Sequence, residues 1–310
     1  MRSHIVLLFI TFLVLTSAQL QAQEAQSGHG KPEPPMAGVH WAKGQAPKTN
    51  GASKTSPLLT PHGGDIMPSV QPVQAIFWGL NWGGPTAATF TGDKITGIDT
   101  FYGDIGNSAY SHTCSEYSGP SGTSVGDSIT YNGHSVDTSP AVNGSRTGPI
   151  LAEVCKEIKD PQANGYYPVY VDLPRGHANF CAWHSAGFCG TVPVQFAFFF
   201  NLDGDPGCDP GDDPAVTGHS QGLAALANVS GHEISEARTD PRLNAWYDSS
   251  GNENADKCAW TFGSQYVTFT NGTKWKIQGN WSNAAYTNSP PSGYPNEKGQ
   301  PGCIDGGNFK

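Results

Sequence analysis

His232, Glu233 and Glu236 stand together in SGHEISEARTDP, Ser230 to Pro241. On a helix each residue turns about 100°, so positions four apart lie side by side. His232 and Glu236 could then hold one metal ion between an imidazole nitrogen and a carboxylate oxygen. Glu233, next along the chain, would take a proton from water bound to that ion. A third ligand must come from elsewhere. Asp240 lies two turns beyond His232, roughly 12 Å along the axis, too far for a short side chain to share the ion. Its position suits orienting a ligand or fixing the helix end. Glu253, in WYDSSGNENADKCAW, is the better third ligand, and Asp256 follows it as a supporting carboxylate. Two carboxylates and one imidazole would leave Zn²⁺ formally neutral. Such a site is a weaker Lewis acid than one with two histidines.

The same residues also fit a plainer role. Ser230 and Glu233 have the spacing of a capping box, which would start an ordinary surface helix there. LAALANV, immediately upstream, argues against that start: its strong helix formers continue the stripe of Leu223, Leu226, Ala227, Ser230, Ile234 and Ala237. The spacing therefore predicts a continuous helix from about Ser220, ended before Pro241. One face would pack into the domain, while His232 and Glu236 point at solvent or a cleft.

Other elements must position this helix. Val73 to Trp78 is a short β-rich apolar run, and GYYPVYVDL and VPVQFAFFFNLD are two more. ILAEVCKEIKD (150–160) has amphipathic helical spacing. RGHANFCAWHSAGFCG, between the second and third strands, is expected to be a cysteine-bounded loop. It carries His177 and His184, either of which could donate to an oxyanion during peptide hydrolysis, and His184 is retained as a catalytic candidate. The order of strand, helix, strand, strand and long helix indicates an α/β or α+β layer with a loop-rich C-terminal part. Asn201, Asp203, Asp205 and Asp209 alternate in NLDGDPGCDPGDD, an oxygen-rich pattern suited to Ca²⁺, although an acidic solvated turn reads the same way. GHSQG (218–222) mimics a serine nucleophile elbow without following a strand. The C-terminal aromatics Trp246, Trp260, Trp275, Trp281 and Tyr286 could stack on sugars or fill a core.

The chain opens MRSHIVLLFITFLVLTSA, which reads as a secretory signal peptide over 1–18. Residues 19–61 are rich in Gln, Gly, Pro, Ser and Lys, and are expected to be a disordered linker or short pro-segment. Residues 62–310 form the remaining domain. Net charge is −9 with the basic residues scattered, which disfavours nucleic acid and membrane surfaces as partners. Seven cysteines in an exported chain imply up to three disulfides and one thiol left over. The expected pairs are Cys181 with Cys189 and Cys258 with Cys303.

HEISEARTDP resembles the zincin metallopeptidase helix in a HExxE form. FCAWHS, HEISEARTDPRLNAWYD, GNENADKCAW and IQGNWSNAA together resemble a group of exported bacterial proteins. A looser similarity, in AIFWG, FCAWHSAGFCG and the helix ending T-D-P, reaches the plant phosphate-induced (EXORDIUM-like) secreted proteins. The zincin resemblance implies a zincin-like mixed sheet and a cleft bordered by an edge strand, here Val192 to Phe200. It also implies peptide or protein substrates, with His232 and Glu236 as zinc ligands and Glu233 as base. The plant resemblance implies a cell-wall or polysaccharide association. The rival reading is a non-catalytic extracellular or wall-associated binding protein, whose carboxylates form a structural ion site or a salt-bridge network.

Overall fold

A computed structural model describes residues 32–47, 57–263, 266–288 and 301–306. The expected signal peptide lies outside them. Pro34 onward forms one compact unit. Its centre is a mixed six-stranded sheet of β1 (Ala37–Trp41), β3 (Val70–Trp78), β4 (Ile129–Asp137), β5 (Tyr166–Pro174), β6 (Phe180–Cys189) and β7 (Val192–Asn201), in the order β1-β6-β7-β5-β3-β4. A short β2 (Thr60–Pro61) pairs instead with β8 (Trp246–Tyr247). Strands β4, β3, β5 and β7 run parallel, while β6 is antiparallel to β7 and β1 to β6. The central strands β5 and β7 are buried on both faces, which is why they read as near-continuous apolar runs. After the buried Ile129, β4 alternates exposed and half-buried positions, as an edge strand with one covered face does.

Three helices matter for the site: α1 (Lys94–Ile105), α2 (Thr147–Glu157) and α3 (Gln221–Thr239). Ser220 caps α3 by accepting from the Leu223 N–H, and its own N–H and hydroxyl are held by Asp93. This use as a cap explains GHSQG without a nucleophile. α3 therefore runs through Ser230, whose hydroxyl meets Tyr170 at 2.7 Å instead of capping anything. From Gly222 to Thr239 every residue of α3 is buried. The expectation of a helix with one solvent face is overturned. Leu223, Leu226, Val229 and Ile234 join the main core, each side chain worth about 1.5–3 kcal/mol on burial, and the opposite face lies under β1 and the C-terminal loops. At its end Asp240 accepts from the N–H groups of Asn244 and Ala245, both at 2.6 Å, and so fixes the turn after the helix.

Several expectations need correction. The FCAWHSAGFC stretch is the strand β6, not a loop. Val192 to Phe200 lies within β7, which is paired on both sides, so it is not an edge. Residues 37–41, inside the expected linker, form β1. Disulfides join Cys155 to Cys189, Cys181 to Cys208 and Cys258 to Cys303, and Cys114 is free and buried. Cys181 and Cys189 cannot pair because they stand on one extended strand. Eight residues at about 3.3 Å each separate them far beyond the ~7 Å reach of a bridge. Three disulfides point to an oxidising environment. No described helix is long and apolar enough to cross a membrane.

Candidate metal centre

α3 brings His232, Glu233 and Glu236 to the underside of β6 and β1, where none is exposed to solvent. β6 contributes His184, 1 % exposed. Side chains alternate along a strand, so Ala182 and His184 share one face, while Trp183 turns to the other and donates to the Gly144 carbonyl. The turn after α3 supplies Glu253 and Asp256. It is latched to the helix by the Asp256 N–H, which donates to Glu236 Oε1 at 2.8 Å, and Asp256 Oδ2 accepts from the Glu253 N–H. That latch leaves Glu236 Oε2 turned inward. It lies 3.1 Å from His232 Nε2 and 3.6 Å from His184 Nε2. Further out, His184 Nε2 meets Glu253 Oε2 at 3.2 Å, and His232 Nε2 lies 3.6 Å from Asp256 Oδ1.

These separations bear directly on metal binding. Ligand atoms about 2.0–2.2 Å from a tetrahedral ion stand roughly 3.3–3.5 Å apart, and the four pairs span 3.1–3.6 Å. His232 Nε2 and Glu236 Oε2 are buried without a hydrogen-bond partner. Leaving such atoms unpaired costs about 1–3 kcal/mol each, more where charged. A cation beside His232 Nε2 and Glu236 Oε2 would satisfy both of those atoms at once.

Burial, the first cause in each case, sets the ionisation of the cluster. It pushes Glu236 and Asp256 up to about 7, and Glu233 and Glu253 well above the usual carboxylate range, helped by the neighbouring carboxylates. It holds His232 down at about 4 and lowers His184 as well. The imidazoles are therefore neutral, the form that binds metal. One contact must adjust. Gln278 Nε2 faces His232 Nδ1 at 3.0 Å and donates to the Ala255 carbonyl, while its Oε1 takes the His40 Nε2–H at 2.9 Å. An ion on His232 Nε2 requires the ring proton on Nδ1, and turning the Gln278 amide to accept it gives up the bonds to the Ala255 carbonyl and from the Trp260 N–H.

His40 and Gln278 are the residues that sequence reasoning missed. Both are fully buried, and the His40 ring packs edge-on at 4.5 Å against His232. His40 arrives with β1, which roofs the centre. A Cβ on Gly38 would overlap both Glu236 Oε2 and the His184 imidazole, and Gly38 has φ of +49°. Gly44 also has positive φ, at +74°, but faces open space. Gly38→Ala should accordingly cost roughly 2–4 kcal/mol and Gly44→Ala about 1, a difference that thermal melting of the two variants measures directly. Equal melting temperatures would show that β1 does not press on the centre. Beside β1 a cavity of about 410 Å³, lined in part by Gly38, Trp41, Asn252, Asp256 and Trp260, reaches the cluster at Asp256.

The other candidates lie elsewhere. His177 is exposed on the turn between β5 and β6. Asp203 pairs with Lys94 and Asp205 with Arg175, while Asn201 and Asp209 accept from backbone N–H groups of their own loop. Among the described residues these carboxylates form no converging ligand group. Trp275 and Trp281 are core residues, and Tyr286 is partly exposed. Comparison of the chain with protein-family models, curated proteins and solved structures gives no match.

Proposed function

We propose that this protein is an exported metal-dependent hydrolase acting on peptide bonds, with zinc held by His232, Glu236 and the 253–256 turn. One observation carries the reading. His232 Nε2 and Glu236 Oε2 face each other at 3.1 Å, buried and without hydrogen-bond partners, at the i,i+4 spacing of a metal-binding helix. Asp256 Oδ1, at 3.6 Å from the same imidazole nitrogen, is the nearest third ligand to His232; Glu253 instead adjoins His184. The mixed sheet, with α3 packed against it and antiparallel strands beside the centre, supports the zincin-like reading, with β1, the edge strand, in the bordering position.

A divalent ion in such a site brings water into the neutral pKa range and polarises a carbonyl. The protein's part is positional. Glu233, fully buried in the cluster, is placed to take the proton of the attacking water. His184, buried against Glu253 and Glu236, sits among the ligands and not over a substrate carbonyl, which makes it a ligand in place of the oxyanion donor its position in sequence suggested. Substrate must enter past Asp256 or by parting β1 from β6.

That roof is also the observation favouring a second reading, in which a buried ion only holds the fold of an extracellular or wall-associated binding protein. Elemental analysis of the purified protein beside His232→Ala separates the cases. Bound zinc lost in the variant, together with cleavage of a general peptide substrate by the intact protein alone, is the expected result. Zinc without any hydrolysis would favour the structural role, and no zinc after reconstitution would remove the metal reading altogether.

A further inference from the structure

The ligand atoms of the centre do not converge on one point. They fall into two groups, each with its atoms within 4.8 Å of one another: His232, Glu236 and Asp256 in one, His184, Glu233 and Glu236 in the other. The groups share Glu236, and neither contains both histidines. Zinc–nitrogen bonds are about 2.0–2.1 Å long, so a single ion could not take both imidazoles without moving one of them. Glu236 Oε2 instead stands between the two rings, 3.1 Å from one and 3.6 Å from the other, with no hydrogen-bond partner of its own. Glu236 Oε1 is already occupied by the Asp256 N–H, which prevents the carboxylate from swinging to favour either side.

We propose that the centre holds two divalent cations bridged by Glu236, one on His232 and Asp256, the other on His184, whose Nε2 also meets Glu253 Oε2 at 3.2 Å. This rests on the metal-dependent reading above and extends it from one ion to a pair. Paired hydrolytic ions stand about 3.5–4 Å apart, a spacing that one carboxylate bridges. Each ion then has one imidazole, one terminal carboxylate and a share of Glu236. Glu233 lies in the His184 group and is fully buried.

Zinc per chain after chelation, reloading and dialysis of the full-length secreted protein tests this. The intact protein should retain two equivalents. Asp256→Asn and Glu253→Gln, which preserve shape and the backbone latch, should each retain one. A single equivalent in the intact protein, lost in Asp256→Asn, would overturn the pair while leaving the one-ion reading standing. No retained zinc would overturn both. Should a variant fold poorly, cobalt(II) loading of the intact protein decides alone. Two bridged ions couple magnetically, so the paramagnetic resonance signal at two equivalents should fall below twice the signal at one; simple addition would overturn the pair.

Discussion

Glu233→Gln is expected to lower kcat by roughly 10²- to 10⁴-fold, the usual contribution of a positioned base, with zinc content unchanged. The substitution keeps shape and removes only the ability to hold a negative charge. The Glu233 carboxyl is fully buried, and the backbone hydrogen bond from His40 can still be accepted by the amide oxygen of glutamine. Without a cation, burial and the nearby Glu236, Asp256 and Glu253 push the carboxyl well above its ordinary range, and a protonated acid cannot act as a base. A bound divalent ion reverses that by favouring the ionised form. On the proposed reading a base at Glu233 is competent only beside the metal, which would tie turnover and metal content together. Steady-state cleavage of a peptide substrate and elemental analysis on the same preparation check it. Undiminished hydrolysis would sink the assignment, and loss of zinc would reassign Glu233 as a ligand.

How far the site was legible follows from where each residue lies. His232, Glu233 and Glu236 could be read because helical spacing alone brings them together, and the LAALANV register placed the helix start at Ser220. Glu253 and Asp256 were found as a pair near the helix, but which of them adjoins His232 depended on the turn that Asp256 latches to Glu236. His184 was singled out for the wrong reason. Bounding cysteines suggested a local loop, whereas Phe180, Trp183 and Phe188 are strand formers, and period-two alternation from Ala182 would have put His184 on a covered face. His40 was hidden more deeply. Only a short strand, GVHW within a Gly- and Pro-rich stretch, carries it, and its partners are far along the chain at Gln278 and His232. β4 is hard to read from sequence, because an edge strand with one exposed face and a central glycine, Gly133, looks like turn-rich sequence. The central strands, buried on both faces, left no such ambiguity.

Removing the metal should make the protein less stable as pH rises above 6.5, and restoring it should abolish that loss. Unfolded, Glu236 and Asp256 titrate near 4.5 and 3.8, but in the fold burial raises both to about 7, and Glu233 and Glu253 further. A raised folded pKa means the native state holds protons that the unfolded chain has released. Its stabilising contribution is complete below the unfolded value and declines as pH rises through the folded one. Each proton so retained costs about 1.4 kcal/mol of stability per pH unit. His232 works in the opposite sense: lowered from 6.5 to about 4, it contributes stability that is present above 6.5 and lost as pH falls towards 4. Below 6.5 the two effects oppose each other, so the informative window lies above it, where the folded imidazole is neutral and the unfolded one, half protonated at 6.5, sheds the rest of its charge within about one pH unit. Between pH 6.5 and 8.5 the chelated protein should therefore lose several degrees of melting temperature, at roughly 2–4 °C per kcal/mol for a domain of this size. Divalent ions displace those protons and bind the folded state selectively, adding about 2.7 kcal/mol at a hundredfold excess over Kd. Melting curves with chelator and with zinc should consequently diverge as pH rises. Parallel curves across that window would mean that the buried carboxylates are neutralised by something other than metal, and that the centre is a proton-sharing network built into the core.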